Sequence, residues 1–495
     1  MSYQKYQSDF NKLASVFDAS EFNKIKSLFK KKKYNQIHDI FGFPSYENIV
    51  ATYFLKSTNT MTIITESFND SYLDNFVIED NVLIRYIGEE ELTCLFVPEG
   101  VKEIAPNAFS NSYSLNYVRI HSSVMKIGEG AFENCFNLEC VEIYEGIKEI
   151  GAHAFMNCQS LESFTLPDTL ETIETMCFLN CQALSEIKLS SNLKRLEPNT
   201  FMNCFMLKKI DLPESLEEID YPFVNCTSLT SVFIPKNVSK ITSGSFSYTG
   251  KITKLEADTE NKFYSSFNGS NVIVDLRNNA LIQGCNKTII PECVTSIDDR
   301  AFANSRIKEV NLHENLERIG ESAFENCEKI KEIIIPNSCS KLGRDAFSQC
   351  VSLIKVCLPF CLKKIPNSCF LNCNKLKEIS IPKSVEEIGP KAFAFCKSVE
   401  LLEVPNGVQY ISYETFGNCE NLKSITLPDT LIGIDPGAFY ECKKLSLITL
   451  PKSLEYVEDE AFRYCTSLKH VYYLNSNMKR KDNSFDDECL LEEYK

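Results

Sequence analysis

Cysteine is the residue type whose number and spacing could do chemistry in this chain. It occurs 22 times, against five histidines, among 495 residues. Cys135, Cys158, Cys181, Cys204, Cys226, Cys327, Cys350, Cys373, Cys396, Cys419, Cys442 and Cys465 each follow a phenylalanine by three positions. Thiols at regular spacing can be disulfide partners, metal ligands, nucleophiles or small core side chains. A tetrahedral zinc site needs four ligands converging on one point, whereas residues recurring every 22 or 23 positions form a row. In the same register stand Ser112, Thr249 and Ser305. The position therefore demands small size and tolerates a hydroxyl; it does not demand sulfur. Rows about 4.8 Å apart fall inside the Cα separation that a disulfide allows, but parallel Cβ vectors resist its torsion. The expectation is a column of buried thiols acting as small hydrophobes.

Other reactive constellations are missing. There is no Gly-x-Gly-x-x-Gly, no Walker Gly-Lys-Ser/Thr, no Gly-x-Ser-x-Gly and no His-Glu-x-x-His. His38, His121, His153, His313 and His470 are scattered through the chain and cannot cluster as ligands in a repetitive fold. The reading is a non-enzymatic protein with no catalytic, cofactor-binding or metal residues.

The elements that hold the cysteines are set by one recurring aromatic. It stands at Phe109, Phe132, Phe155, Phe178, Phe201, Phe223 and Phe246, then resumes at Phe302, Phe324, Phe347, Phe370, Phe393, Phe416, Phe439 and Phe462. Within each unit a segment such as Leu376-Lys-Glu-Ile379-Ser-Ile381-Pro382 alternates apolar and polar, the period of a short half-buried strand. The proline stops that strand, having no N–H for a ladder. Val385 and Ile388 then turn inward, Gly389 permits a bend, and Ala392-Phe393 enters the core. Fifteen such coils at strand spacing would extend on the order of 70 Å.

The wording Ile-Pro-x-Ser-Val-x-x-Ile-Gly-x-x-Ala-Phe-x-x-Cys-x-x-Leu, nearly complete from Ile381 to Val399, where Val replaces the final Leu, and varied from Val97 to about Tyr473, resembles the BspA-type leucine-rich repeat. The 22–23 residue period lies in the range of leucine-rich repeats. The resemblance implies a right-handed solenoid with parallel strands on one face. It also implies a secreted or surface protein of the kind found in mucosal bacteria and anaerobic protists, associated with adhesion to host matrix or other cells.

Five regions are expected. Residues 1–75 fall outside the repeat and read as a helical N-terminal cap, with Phe22, Ile25, Leu28 and Phe29 at helical spacing and Lys30 to Lys33 among them. Residues 76–257 form a first array opened by a hairpin-like starter at Asn81, and 258–300 a hairpin-like insert that restarts the solenoid. Residues 301–474 form a second array, and 475–495 a polar tail or partial cap. Residues 1–75 hold nine Lys and eight Asp or Glu, a net of 9 − 8 = +1, so the remainder carries −15 − 1 = −16, which argues against nucleic acid and anionic lipid as partners. No apolar run is long enough to span a membrane. The N-terminal residues lack the apolar core of a secretory leader, which reads as a cytoplasmic chain, whereas the resemblance points to the cell surface.

With no reaction centre, function is expected on the outward strand face. Its candidate partner-binding residues are Phe96, Arg119, Glu142, Thr165, Lys188, Asp211 and Phe233, then Asn311, Ile334, Ser380, Glu403, Thr426, Thr449 and Tyr472, with Glu256 and Cys357 in the same row. Inward residues are kept while this row varies, as a recognition surface requires. A protein or cell-surface macromolecule is the expected partner. Adhesion and intracellular scaffolding both remain open, and the oligomeric state is not readable.

Overall fold

The computed structural model describes residues 49–55, 60–65, 70–88 and 91–493. The chain divides into two compact units, residues 1–170 with 180–184, and residues 171–179 with 185–495.

In the first unit, Ile49–Leu55 and Thr60–Thr65 pair as an antiparallel hairpin. A 3-10 helix follows over Asp70–Asn75. Of the described part of 1–75, 49–55 and 60–65 are strand and only 70–75 is a short 3-10 helix, so a mainly helical cap finds no support there. Ile49, Val50, Thr52, Tyr53 and Phe54 in one strand and Thr60, Thr62, Ile63 and Ile64 in the other are β-branched or aromatic residues that favour a pleated strand. The helical spacing of Phe22 to Phe29 and the lysines at 30–33 lie outside the described residues. A second hairpin, Phe76–Glu79 with Val82–Tyr86, turns on Asp80 and Asn81, both at positive φ. Those two residue types accept that conformation, and such turns match strand twist. Val82–Tyr86 then seeds a parallel ladder through Glu103–Ile104, Lys126–Ile127 and Glu149–Ile150.

Most coils carry two strands. A longer one, such as Cys94–Phe96, Tyr117–Ile120 or Cys140–Ile143, builds one parallel sheet. A two-residue strand, such as Lys126–Ile127, builds the other. Because the repeat length barely varies, like stacks on like: Ile104, Ile127 and Ile150 lie in one row.

The second unit repeats this plan around an interruption. Ser231–Ile234 pairs with Lys254–Ala257 in parallel. The chain then folds into the antiparallel strands Tyr264–Ser265, Val272–Asp275 and Ala280–Gly284. From Ala280–Gly284 the parallel ladder restarts through Ser296–Ile297, Arg318–Ile319 and Lys341–Leu342. Arg277 holds this insert down. Its guanidinium donates to both Asp275 carboxylate oxygens at 2.8 and 2.6 Å, to Tyr264 Oη at 2.9 Å, and to the Ser239 carbonyl of the preceding coil at 3.0 Å. At the far end, Lys479–Arg480 and Leu490–Glu493 join the two sheets in parallel. Phe485 stacks on Phe462 at 4.9 Å, so residues 475–493 contain one further coil.

The third wall is built from turns. Phe132 lies between Gly130 and Asn134, both left-handed at φ 59° and 60°. That geometry aims the N–H groups of 130, 132 and 134 at the carbonyls of 152, 154 and 156, each at 2.8 Å. The wall therefore has a backbone ladder without being strand. Asparagine tolerates the left-handed region, but Met176, Tyr221, Lys391 and Glu414 adopt it too. The coil-to-coil bonds hold them there. Gly389 serves a different need from the bend its sequence context implies. A Cβ there would stand 2.7 Å from the Asn367 amide nitrogen, so glycine permits close approach of neighbouring coils.

The marker phenylalanines are fully buried and stack face to face. In the first unit Phe109, Phe132 and Phe155 are 5.5 and 5.3 Å apart. In the second, Phe178 to Phe246 stack at 5.6, 5.6 and 5.5 Å. Phe302 to Phe462 continue at between 4.8 and 5.7 Å. Parallel displaced rings are a favourable aromatic geometry.

Candidate recognition surface

The cysteine column sits behind the phenylalanines. All twelve thiols donate to the carbonyl of the marker Phe one coil earlier: Cys135 to Phe109, Cys204 to Phe178 and Cys373 to Phe347, at 3.2, 3.3 and 3.2 Å. The same contact is made by Cys158, Cys181, Cys226, Cys327, Cys350, Cys396, Cys419, Cys442 and Cys465. Burial pushes Cys135, Cys226, Cys350 and Cys419 up to about 12. They stay protonated at neutral pH, the state in which a thiol is neither nucleophile nor ligand. All 22 cysteines are free. Among the described residues no three His, Cys, Asp or Glu side chains converge as metal ligands.

The described histidines lie in separate coils. His121 contacts Ser123, His153 lies 3.8 Å from Glu129, His313 contacts the Pro291 carbonyl at 2.9 Å, and His470 meets Glu492 at 2.9 Å. Each has a local partner in its own stretch of the solenoid.

In the first unit, the sheet places Phe96 beside Arg119 and Arg119 beside Glu142. Phe96 is buried, packed 5.7 Å from the Tyr117 ring, so it does not face a partner. Arg119 donates to Tyr144 Oη at 2.7 Å and covers that ring at 5.2 Å. Thr165 is exposed on Ser163–Thr165. In the second unit Lys188, Phe233, Ile334, Glu403, Thr426 and Thr449 are exposed on strands. Asp211, Asn311 and Ser380 are exposed on non-strand backbone, Ser380 one residue past Glu378–Ile379. Cys357, Glu256 and Tyr472 are half-buried.

The sheet has a second outward column that the one-residue-per-strand reading misses. Strands such as Leu401–Glu403 and Leu447–Leu450 read exposed, buried, exposed, so each shows two side chains to solvent. The added column runs Glu332, Lys355, Glu378 in one sheet, Leu401, Ser424 in the next, and Leu447, His470, Leu490 in the last. The signal was present in the alternation Leu447-Ile448-Thr449-Leu450. Leu401 is 67% exposed, Ile334 63%, Leu490 58% and Leu447 50%. Large aliphatic side chains in water beside Thr426, Thr449 and Glu403 form a surface suited to contact with a macromolecule.

Comparison with known proteins agrees with this geometry. Among the described residues no helix is long and apolar enough to cross a membrane. A leucine-rich cell surface protein from Faecalibacterium prausnitzii A2-165 is 26% identical, with a TM-score of 0.59 over 71% of this chain and 92% of that one. A leucine-rich-repeat protein from Eubacterium ventriosum is 20% identical, with a TM-score of 0.51 over 73% and 90%. No curated protein matches the sequence. Residues 86–168, 148–272, 281–400 and 386–495 match the BspA type leucine rich repeat region. Together with the Phe stack, the thiol column and the paired parallel sheets, this makes the chain a member of the BspA-type leucine-rich-repeat family.

Proposed function

We propose that the protein is a non-enzymatic adhesion or surface-antigen type module that binds a protein or other cell-surface macromolecule through the outward face of its longer strands. The exposed aliphatic residues Ile334, Leu401, Leu447 and Leu490 on an otherwise polar sheet carry this reading. Keeping such residues half to two-thirds exposed costs about 1–2 kcal/mol each relative to burial, a cost that a partner would recover. Support for the cell surface comes from the likeness to the Faecalibacterium surface protein.

The test uses the full chain with Ile334→Glu, Leu401→Glu and Leu447→Glu combined. These side chains are exposed, so the unfolding midpoint should hold while binding to intact cells falls at least tenfold. Unchanged binding by the triple variant refutes the strand-face assignment. Complete protection of the native protein when intact producing cells are treated with protease refutes surface display and leaves an intracellular scaffold.

A further inference from the structure

An open cleft lies on the turn wall where the repeat is interrupted. Elsewhere the residue two positions after each turn phenylalanine is often an asparagine that passes one amide bond to the previous coil. Asn225 Nδ2 donates to Asn203 Oδ1 at 2.8 Å, and Asn326 Nδ2 to Asn304 Oδ1 at 2.7 Å. Across the interruption the coils of Phe246 and Phe302 are adjacent, since the Tyr248 N–H donates to the Ala303 carbonyl at 3.2 Å. Tyr248, however, stands where the ladder needs an asparagine. The Asn304 amide nitrogen is left with no hydrogen bond among the described residues. It lies beside Gly250, 3.6 Å from where a Cβ would stand.

Two further features open the space. A Cβ on Gly250 would meet the Asn304 carbonyl at 2.6 Å, so that position carries no side chain. The turn from Ser305 to Ile307 is also one residue shorter than the corresponding turn from Cys327 to Ile330. The result is an open cleft of about 380 Å³ at whose rim stand Lys251, Arg306 and Lys329. None of these three cations makes an ion pair or side-chain hydrogen bond among the described residues. Glu328 is the one carboxylate among the lining residues. Three uncompensated cations and a stranded amide donor in so acidic a chain form a focus of positive potential.

We infer that this cleft binds a sulfate or phosphate ester carried on a sugar-sized body. Arg and Lys donors with an amide N–H match the acceptor oxygens of such a group. At about 30 Å³ per water, the volume exceeds that of a single tetrahedral anion, so the ester group enters with its carrier. The site is separate from the strand face, and it stands or falls independently of the adhesion reading.

The test is titration calorimetry on the full chain with glucose 6-sulfate, glucose 6-phosphate, inorganic phosphate and unmodified glucose. The sugar esters should bind, inorganic phosphate more weakly, and glucose not at all. Combining Lys251→Gln, Arg306→Gln and Lys329→Gln should lower ester affinity at least about tenfold, the equivalent of one charged hydrogen bond. Tyr248→Asn offers the Asn304 amide an acceptor without changing charge and should weaken binding severalfold. Lys329→Gln alone, at an exposed position, provides the same readout should the triple variant fold poorly. Absence of ester binding, equal binding of glucose, or unchanged affinity in both lysine-and-arginine variants overturns the site. Unchanged affinity in Tyr248→Asn overturns the part given to the amide.

Discussion

Replacing Phe201 by alanine tests the aromatic stack at its most informative point. Phe201 is fully buried between Phe178 and Phe223, with both ring centroids 5.6 Å away. Burial of such a side chain is worth about 1.5–3 kcal/mol, and each stacked pair adds about 0.5–1.5 kcal/mol. The cavity left behind cannot close, because coil spacing is fixed by the backbone ladders on either side. Phe201→Ala should therefore cost about 3–5 kcal/mol. Phe201→Leu keeps most of the volume but loses both pairs, and should cost about 1–3 kcal/mol on the stacking figure alone. Urea unfolding followed by circular dichroism reads both. Stability in a solenoid is a sum of nearest-neighbour terms, so position matters as well as burial. Phe485→Ala, with a single stacking partner at 4.9 Å, should cost less than Phe201→Ala by about one pair. An unchanged midpoint for Phe201→Ala would refute the assignment of the stack as the structural spine.

Further outcomes at Cys373, Arg277 and Asp435 follow from the same geometry. Cys373→Ser should change stability by less than about 1 kcal/mol, because the hydroxyl can donate to the Phe347 carbonyl in place of the thiol. Cys373→Leu overpacks the column and should cost about 1–3 kcal/mol by urea unfolding. Arg277→Met should destabilise the insert by about 1–3 kcal/mol, since it strands the buried Asp275 carboxylate; hydrogen exchange across 264–284 localises the effect. Burial pushes Asp275 up, but the Arg277 hydrogen bonds outweigh it and hold the carboxyl below its usual range. Its contribution is therefore present above the ordinary carboxylate value and is lost as pH falls through the lower folded value. Wild type and Arg277→Met should converge in thermal midpoint under acid. Asp435 behaves oppositely, because burial raises it despite the bond from Tyr456. Asp435→Asn should raise the midpoint at pH 7, with the gain vanishing once acid protonates the native carboxyl. A gain that persists in acid would contradict burial as its cause.

The cysteine column shows how far the residues alone could go. Substitution by Ser112, Thr249 and Ser305 already revealed a requirement for size, and the thiol-to-carbonyl contact supplies its geometric reason. Phe485 follows Phe462 by 23 residues, so the further coil was legible from the period. It was hidden by Glu488 standing where a cysteine was expected. The buried position of Phe96 was not legible, because the alternation that puts a residue outward says nothing about what packs over it.

What the chain determined by itself is the period, and with it the rows. Identical spacing forces like residues onto like, so the Phe stack, the thiol column and the parallel ladders follow from counting. What only the tertiary structure decided are features that depend on a neighbouring coil. Met176 and Tyr221 adopt left-handed backbone because their N–H groups reach the adjacent coil, at the Pro198 carbonyl and at Ser245 Oγ. Gly389 is glycine because another backbone passes too close for a Cβ. The amide of Asn304 is stranded because Tyr248 lies beside it across a gap of more than fifty residues. Local propensity cannot encode such contacts, since each arises between chain segments that meet only after the coils have stacked.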